Sequence, residues 1–136
     1  MKAMGIDFGL ARIGIALSDE TKFLASPYMT YRRKNEQEDL QFFENLVKTQ
    51  KVDEIVCGLP LNMQGKEEEI AFKTREFMMK LKDIVNIDIT YVDERMSSIM
   101  AEDILKKTEK DWRKRKEKLD SVSASIILQD YLDMRR

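Results

Sequence analysis

Apolar residues alternate with small or polar residues in two short stretches near the start of the chain, at positions 4–8 and 13–17. This period of two is typical of β-strands whose two faces have different surroundings. The connection at residues 10–12 is short enough to join both strands as a hairpin. A third strand is predicted at residues 24–31, and Pro27 favours a place for it at the edge of a sheet.

A helix is predicted next, beginning at Asn35. Asn35 followed three residues later by Glu38 is typical of a helix N-cap, and the apolar residues at positions 40–47 recur with a helical period. The remaining predicted elements are strands at residues 54–59 and 87–93, helices at residues 70–85, 97–105 and 119–132, and a Gly-, Pro- and Asn-containing loop at residues 58–65.

This order of elements predicts an α/β fold built on a mixed sheet. The leading strands are antiparallel, whereas the later strands alternate with helices and should be parallel, with right-handed crossovers. Helices are therefore expected on both faces of the sheet. At 136 residues, the chain has the length of one domain, and we expect that domain to span residues 1–136.

The composition narrows the possible chemistry. Without any histidine, Ser-His-Asp and Cys-His catalysis and histidine-bound zinc are excluded. Cys57 is the only cysteine, so an internal disulfide is impossible and a reducing compartment is favoured. No apolar run approaches the roughly 18–20 residues that span a bilayer, and the first residues do not resemble a signal peptide. We therefore expect a cytoplasmic protein that makes no use of a membrane.

Three carboxylates are the candidates for catalysis. Asp7 lies between Gly5 and Gly9 on one strand face, where a charge is costly unless it is paired or binds a metal ion. Glu94 follows the last predicted strand, at the edge where α/β sheets place their sites. Asp120 precedes small residues that would let the last helix approach the glycine-containing hairpin, and this packing would bring Asp120 near Asp7.

Each carboxylate also has an ordinary structural explanation. Asp7 could serve the hairpin turn, Glu94 could form an ion pair with Arg95, and Asp120 could cap the last helix. If the three converge, however, their hard oxygen atoms suit Mg²⁺ or Mn²⁺. Two such ions can act on the attacking and leaving oxygen atoms of a phosphodiester.

A basic stretch precedes Asp120. The net charge of the chain is −1, but residues 106–118 contain eight Lys or Arg against three Asp or Glu, with Trp112 among them. Such a stretch could hold phosphates and stack a base; the alternative is a solvated loop. The residues predicted to contact nucleic acid here are Arg113, Lys114, Arg115, Lys116 and Lys118.

Four motifs follow one another along the chain. They are residues 5–9 (GIDFG) with Arg12 and Gly14, residues 58–65 (GLPLNMQG), residues 93–97 (DERMS), and Asp120-Ser121 with Ala124. Together they resemble the YqgF-type family over essentially the whole chain. Members of that family are described as Holliday-junction resolvases or pre-16S rRNA nucleases with a ribonuclease H-like fold.

The resemblance implies a metal-dependent nuclease with a ribonuclease H-like mixed sheet. Carried over by position, its catalytic and metal-binding acids are Asp7, Glu94 and Asp120. Related junction resolvases have a fourth carboxylate three residues after the last acid. This chain has Ser123 there, which leaves open whether one or two metal ions bind.

The substrate implied by the resemblance is structured nucleic acid, either the 5′ end of pre-16S rRNA or branched DNA at a Holliday junction. Within the motifs, Arg12, Asn62 and Arg95 are predicted to contact it. The sequence leaves open RNA or DNA, endonuclease or exonuclease, and monomer or homodimer.

Parts of the sequence also resemble proteins with other functions. Residues 7–12 spell DFGLAR, like the magnesium-binding string of protein kinases, but an ATP-binding lobe and a histidine-containing catalytic loop are missing. The phosphate-binding hairpin of actin-like and sugar kinases needs two lobes. A nucleic-acid-binding module without catalytic activity remains open, because a fold does not imply a function.

Overall fold

A five-stranded mixed sheet forms the centre of the protein. The computed structural model describes residues 1–62, 64, 66–94 and 97–135. Within these residues the elements are β1 (Lys2–Phe8), β2 (Arg12–Ser18), β3 (Ala25–Arg32), α1 (Glu36–Thr49), β4 (Val52–Leu59), α2 (Glu69–Val85), β5 (Ile89–Asp93), α3 (Ser97–Thr108) and α4 (Trp112–Met134). The strand order is β3-β2-β1-β4-β5. β2 is antiparallel to β1 and β3, whereas β4 is parallel to β1 and β5, which confirms the predicted mixed sheet.

The alternation along β1 separates two cores. Met4, Ile6 and Phe8 are buried on the face that α1 and α2 cover, where they pack with Phe43 and Phe77. This cluster includes neighbouring strand residues with the same spacing, such as those of β2. The period of two therefore reflects a sheet that is covered on this face by two amphipathic helices.

The opposite face of the sheet is covered by α4. Ala3 and Ala16 pack there with Ala124 and Leu128, all of them fully buried. Helix α3 then packs on α4 through a small separate cluster. Helices thus lie on both faces, as predicted, and none of the helices in the described part of the chain is long and apolar enough to cross a bilayer.

The last helix begins seven residues earlier than predicted, at Trp112 rather than at position 119. The side chain of Asp111 accepts a hydrogen bond from the N–H of Arg113 and forms the N-cap. The basic stretch at residues 113–118 is therefore helical, and the alternative interpretation of this stretch as a solvated loop is wrong. Asp120 lies in the third turn, so the explanation of Asp120 as a helix cap is also wrong.

Two other boundaries differ slightly. β5 begins at Ile89 rather than at position 87, because Asn86 adopts a left-handed conformation that ends α2. In the predicted loop 58–65, β4 continues to Leu59 and an isolated bridge joins Leu61 to Glu67. Positions 63 and 65 of this loop lie outside the described residues.

A buried carboxylate, Asp39, ties the start of α1 to the end of β3. Asp39 is completely buried and accepts hydrogen bonds from the Tyr31 hydroxyl (2.8 Å), the Arg33 Nε (2.9 Å) and the Lys34 N–H (2.9 Å). The guanidinium of Arg33 also lies over the ring of Phe8, 4.7 Å from its centroid. This network supports the strand end next to Asp7.

We expect Asp39→Asn to lower the free energy of unfolding by about 1–3 kcal/mol near neutral pH, because Arg33 loses its acceptor. Burial opposes ionisation of Asp39, but the hydrogen bonds from Lys34, Tyr31 and Arg33 outweigh it and hold the pKa below 3.8. A depressed folded-state pKa stabilises the protein above the unfolded-state pKa, and this stabilisation is lost as the pH falls through the folded-state value. Urea titrations should therefore show the difference between wild type and variant shrinking as the pH falls below the ordinary pKa of Asp, about 3.9. A difference that does not change with pH would contradict this role for the Asp39 charge.

Candidate active site

Asp7 lies in the central strand with a glycine beside it on each neighbouring strand. It pairs with Gly14 of β2 and with Gly58 of β4, and paired residues present their side chains on the same face. A Cβ atom at Gly14 would overlap the carbonyl oxygen of Asp120, and one at Gly58 would lie 2.6 Å from Oε2 of Glu94. The fold therefore brings the three predicted acids together, with Asp120 on one side of Asp7 and Glu94 on the other.

The approach of α4 depends on small residues, as the sequence predicts. A Cβ atom at Gly5 would lie 2.7 Å from Cβ of Leu128 and 2.8 Å from the carbonyl oxygen of Ala124. Gly9 has a different role, since a Cβ atom there would meet the carbonyl group of Arg12 across the hairpin turn. The contact of helix and hairpin is thus made by β1 and β2, while Gly9 serves the turn.

Asp7 and Glu94 form a carboxyl pair. Glu94 directly follows β5, and its N–H donates to the carbonyl group of Leu59 at the end of β4. Burial raises the pKa of Asp7, a hydrogen bond from Glu94 lowers it, and the charge of Asp120 raises it, with a net rise. Burial, the charge of Asp7 and the hydrogen bond to Asp7 all raise the pKa of Glu94. Both shifts have the same physical origin, because two bare carboxylates this close together in a desolvated place would repel each other.

Asp120 is paired with Arg12. The Nε atom of Arg12 lies 2.9 Å from Oδ2 of Asp120, and the two side chains are 39% and 20% exposed. Arg12 is the first residue of β2, and the structure places this predicted nucleic-acid contact beside Asp120. Among the described residues, no three His, Cys, Asp or Glu side chains are gathered closely enough to hold a metal ion.

The donor chemistry nevertheless fits a hard divalent cation. Asp7 and Glu94 are within hydrogen-bonding contact in a desolvated place, and carboxylate oxygens are the ligands that Mg²⁺ and Mn²⁺ prefer. Ser123, three residues after Asp120, is completely buried, and its hydroxyl group has no hydrogen-bond partner in the described part of the protein. An unpaired buried hydroxyl group is a place where water or an ion can bind.

The basic residues of α4 divide between different faces of the helix. Arg113 and Lys116 line a groove of about 620 Å³ between α4 and β3. Arg115 instead donates to the carbonyl groups of Glu109 and Lys110, which fixes the connection before α4. The predicted nucleic-acid contacts of this stretch are therefore not equivalent.

The other predicted contacts also differ from one another. Lys118 lies 3.2 Å from Oε2 of Glu109, and Lys114 is exposed outside the groove lining. Asn62 accepts hydrogen bonds from the N–H groups of Gln64 and Lys66, so its side-chain oxygen organises its own loop. Arg95, and with it the suggested ion pair to Glu94, lies outside the described residues.

Two residues of the groove wall were missed by the sequence reasoning. Thr30 and Arg32 of β3 line the groove together with Arg12, Trp112 and Glu117. Nothing in their local sequence marks them, because they meet α4 only through the fold, more than 80 positions away along the chain.

The fold is of the ribonuclease H type, as in RuvC-like resolvases. The fold matches T. thermophilus RuvC in complex with a Holliday junction substrate, with a TM-score of 0.64, 11% identity and coverage of 99% of this chain and 95% of that one. It also matches the fowlpox virus resolvase in complex with Holliday junction DNA, with a TM-score of 0.60, 12% identity and coverage of 99% of both chains.

The chain belongs to the RuvX (YqgF) family, described as Holliday junction resolvase, whose family model matches residues 1–134. A relative from Protochlamydia amoebophila is 42% identical over an alignment of 141 positions, which covers 98% of this chain and 94% of the relative. One from Syntrophomonas wolfei is 40% identical over 133 residues, with the same coverage. Both are named "Putative pre-16S rRNA nuclease". The resemblance stated from the motifs is confirmed, and all these names describe enzymes that hydrolyse nucleic acid.

Proposed function

We propose that the chain is a divalent-cation-dependent nuclease that cleaves structured RNA in the cytoplasm, at the 5′ end of pre-16S rRNA. The observation that supports this most is the position of Asp7 between Gly14 and Gly58, with Asp120 and Glu94 against those two glycines. The names of relatives about 40% identical over nearly the whole chain favour RNA as the substrate.

In this proposal Asp7, Glu94 and Asp120 hold Mg²⁺ or Mn²⁺. When bound, such an ion supplies electrostatic stabilisation of the negative charge that builds up on the phosphate. Asp7 and Glu94 would bind the ion as carboxylates, and with Asp120 they would supply the negative charge that a divalent cation requires. Arg12 lies 2.9 Å from Asp120, so it would orient this carboxylate beside the ion, and its remaining guanidinium N–H groups would be available to a substrate phosphate.

The test is cleavage by the purified chain of three substrates: an RNA containing the 5′ precursor segment of 16S rRNA, a four-way DNA junction and an unstructured RNA. We expect the precursor RNA to be cleaved with Mg²⁺ or Mn²⁺ and to remain intact with a chelator. If the DNA junction is cleaved faster than the precursor RNA, the chain is a junction resolvase and the proposed RNA substrate is wrong. Binding without cleavage of any substrate, with either metal ion, would favour the non-catalytic module.

A further inference from the structure

The groove between β3 and the first turns of α4 has walls from distant parts of the chain. Thr30 and Arg32 come from β3, and Trp112, Arg113 and Lys116 come from α4. The hydroxyl group of Thr30 also donates to the backbone carbonyl of α4 at position 117, at 3.1 Å, which holds the two walls together. The groove is thus a built feature of the fold, with a volume of about 620 Å³, within the range of about 300–1,000 Å³ typical of ligand sites.

The lining of this groove combines cations with an exposed aromatic ring. Four of its side chains are Arg or Lys and only Glu117 is acidic. Trp112 is 61% exposed, and the guanidinium of Arg113 lies 5.9 Å from its ring centroid. A positively charged groove with an accessible aromatic ring is the combination that binds single-stranded nucleic acid, because the cations follow the phosphates and the ring stacks on a base.

The groove is continuous with the acid site. Arg12 lines the groove and also contacts Asp120. Lys116 and Asp120 are four residues apart on α4, and residues at this spacing lie on the same side of a helix. A strand bound along the groove would therefore reach the acids at the end marked by Arg12.

On the basis of the nuclease function proposed above, we propose that this groove binds an unpaired segment of the substrate next to the cleaved bond. Arg32, Arg113 and Lys116 contact its phosphates, and one base stacks on Trp112. An unpaired segment fits because the bases of a duplex are stacked on one another, so that they offer their edges rather than their faces. The enzyme then selects RNA in which a single-stranded segment adjoins the cleavage position.

The experiment uses Trp112 as the probe, because it is the only tryptophan in the chain. The full chain is titrated in the presence of a chelator with a single-stranded RNA oligonucleotide and, separately, with the same sequence in a duplex. We expect the single strand to quench the fluorescence and the duplex to leave it nearly unchanged. With a labelled single strand, Trp112→Ala should raise the Kd by about 5- to 150-fold, the range for loss of one stacked base. Trp112→Phe should restore most of the affinity.

A charge-matched pair of variants separates the groove from the rest of the basic stretch. Arg113→Ala with Lys116→Ala should weaken binding and lower its salt slope by about 1.4, for two lost contacts to a single strand. Lys114→Ala with Lys118→Ala removes the same charge outside the groove lining and should weaken binding much less. Equal losses of affinity in the two double variants would contradict the proposal that the groove binds the substrate. A fluorescence change with duplex as large as that with single strand would contradict it as well.

The two proposals can fail separately. If single-stranded RNA quenches the fluorescence but is not cleaved with any metal ion, binding in the groove is supported and the nuclease function is contradicted. Alternatively, the wild type could show metal-dependent cleavage while Trp112→Ala and the Arg113/Lys116 double variant have the wild-type KM. That result would support the nuclease function and contradict binding of substrate in the groove. Circular dichroism of each variant controls for folding, which we expect to persist because Trp112, Arg113 and Lys116 are exposed.

Discussion

Asp7→Asn is expected to reduce cleavage of precursor RNA by at least about 10²–10³-fold, the scale of losing one charged group that acts on the transition state. Asn has nearly the volume of Asp and can still accept a hydrogen bond from Glu94, but it carries no charge for a metal ion. The fold should persist, because a buried carboxylate next to two other acids opposes folding, and Asn removes that cost. Turnover and urea unfolding of the same preparation measure both effects.

The matched control for Asp7→Asn is Asp53→Asn in β4, where the carboxylate forms an exposed ion pair with Lys22. The change in charge is the same, but Asp53 is outside the acid site, and we expect turnover close to that of the wild type. Calorimetry should show Mg²⁺ binding by Asp53→Asn and none by Asp7→Asn. Wild-type turnover of Asp7→Asn in Mg²⁺ would place the active centre elsewhere.

The sheet could be predicted from the sequence because each strand carries a local pattern. The period of two in β1 and β2 reports a real difference between the faces of the sheet, and Pro27 correctly indicates the edge. The start of α4 could not be found in this way. Its first turns contain mainly Lys and Arg, which favour helices but form no apolar stripe, because residues 112–118 do not belong to the apolar clusters on the sheet.

The acids of the candidate site could be predicted, but not their partners. Asp7 stands out because glycines surround it in sequence, and Asp120 because small residues follow it. The ion pair of Asp120 with Arg12 joins positions 108 residues apart, so it could not be predicted from any local sequence pattern. Arg32 was missed for the same reason, since only the fold places β3 beside α4.

Gly14→Ala is expected to have the second large effect, on stability and on cleavage together. The added Cβ atom would overlap the backbone carbonyl of Asp120, and a backbone atom cannot move away by changing a rotamer. Helix α4 must therefore shift from β2, which should cost about 3 kcal/mol in the free energy of unfolding, at the upper end for overpacking. The shift also moves Asp120 from Asp7, so cleavage should fall in the fraction that remains folded.

Ser26→Thr provides the control for Gly14→Ala, because it adds one methyl group to a strand at an exposed position of β3. We expect it to change the free energy of unfolding by no more than about 0.5 kcal/mol and to leave cleavage intact. Urea titrations and turnover per folded molecule should be measured for both variants. If Gly14→Ala has wild-type stability and wild-type turnover, α4 does not lie against β2 at this point. The placement of Asp120 beside Asp7, on which the proposed nuclease site depends, would then be wrong.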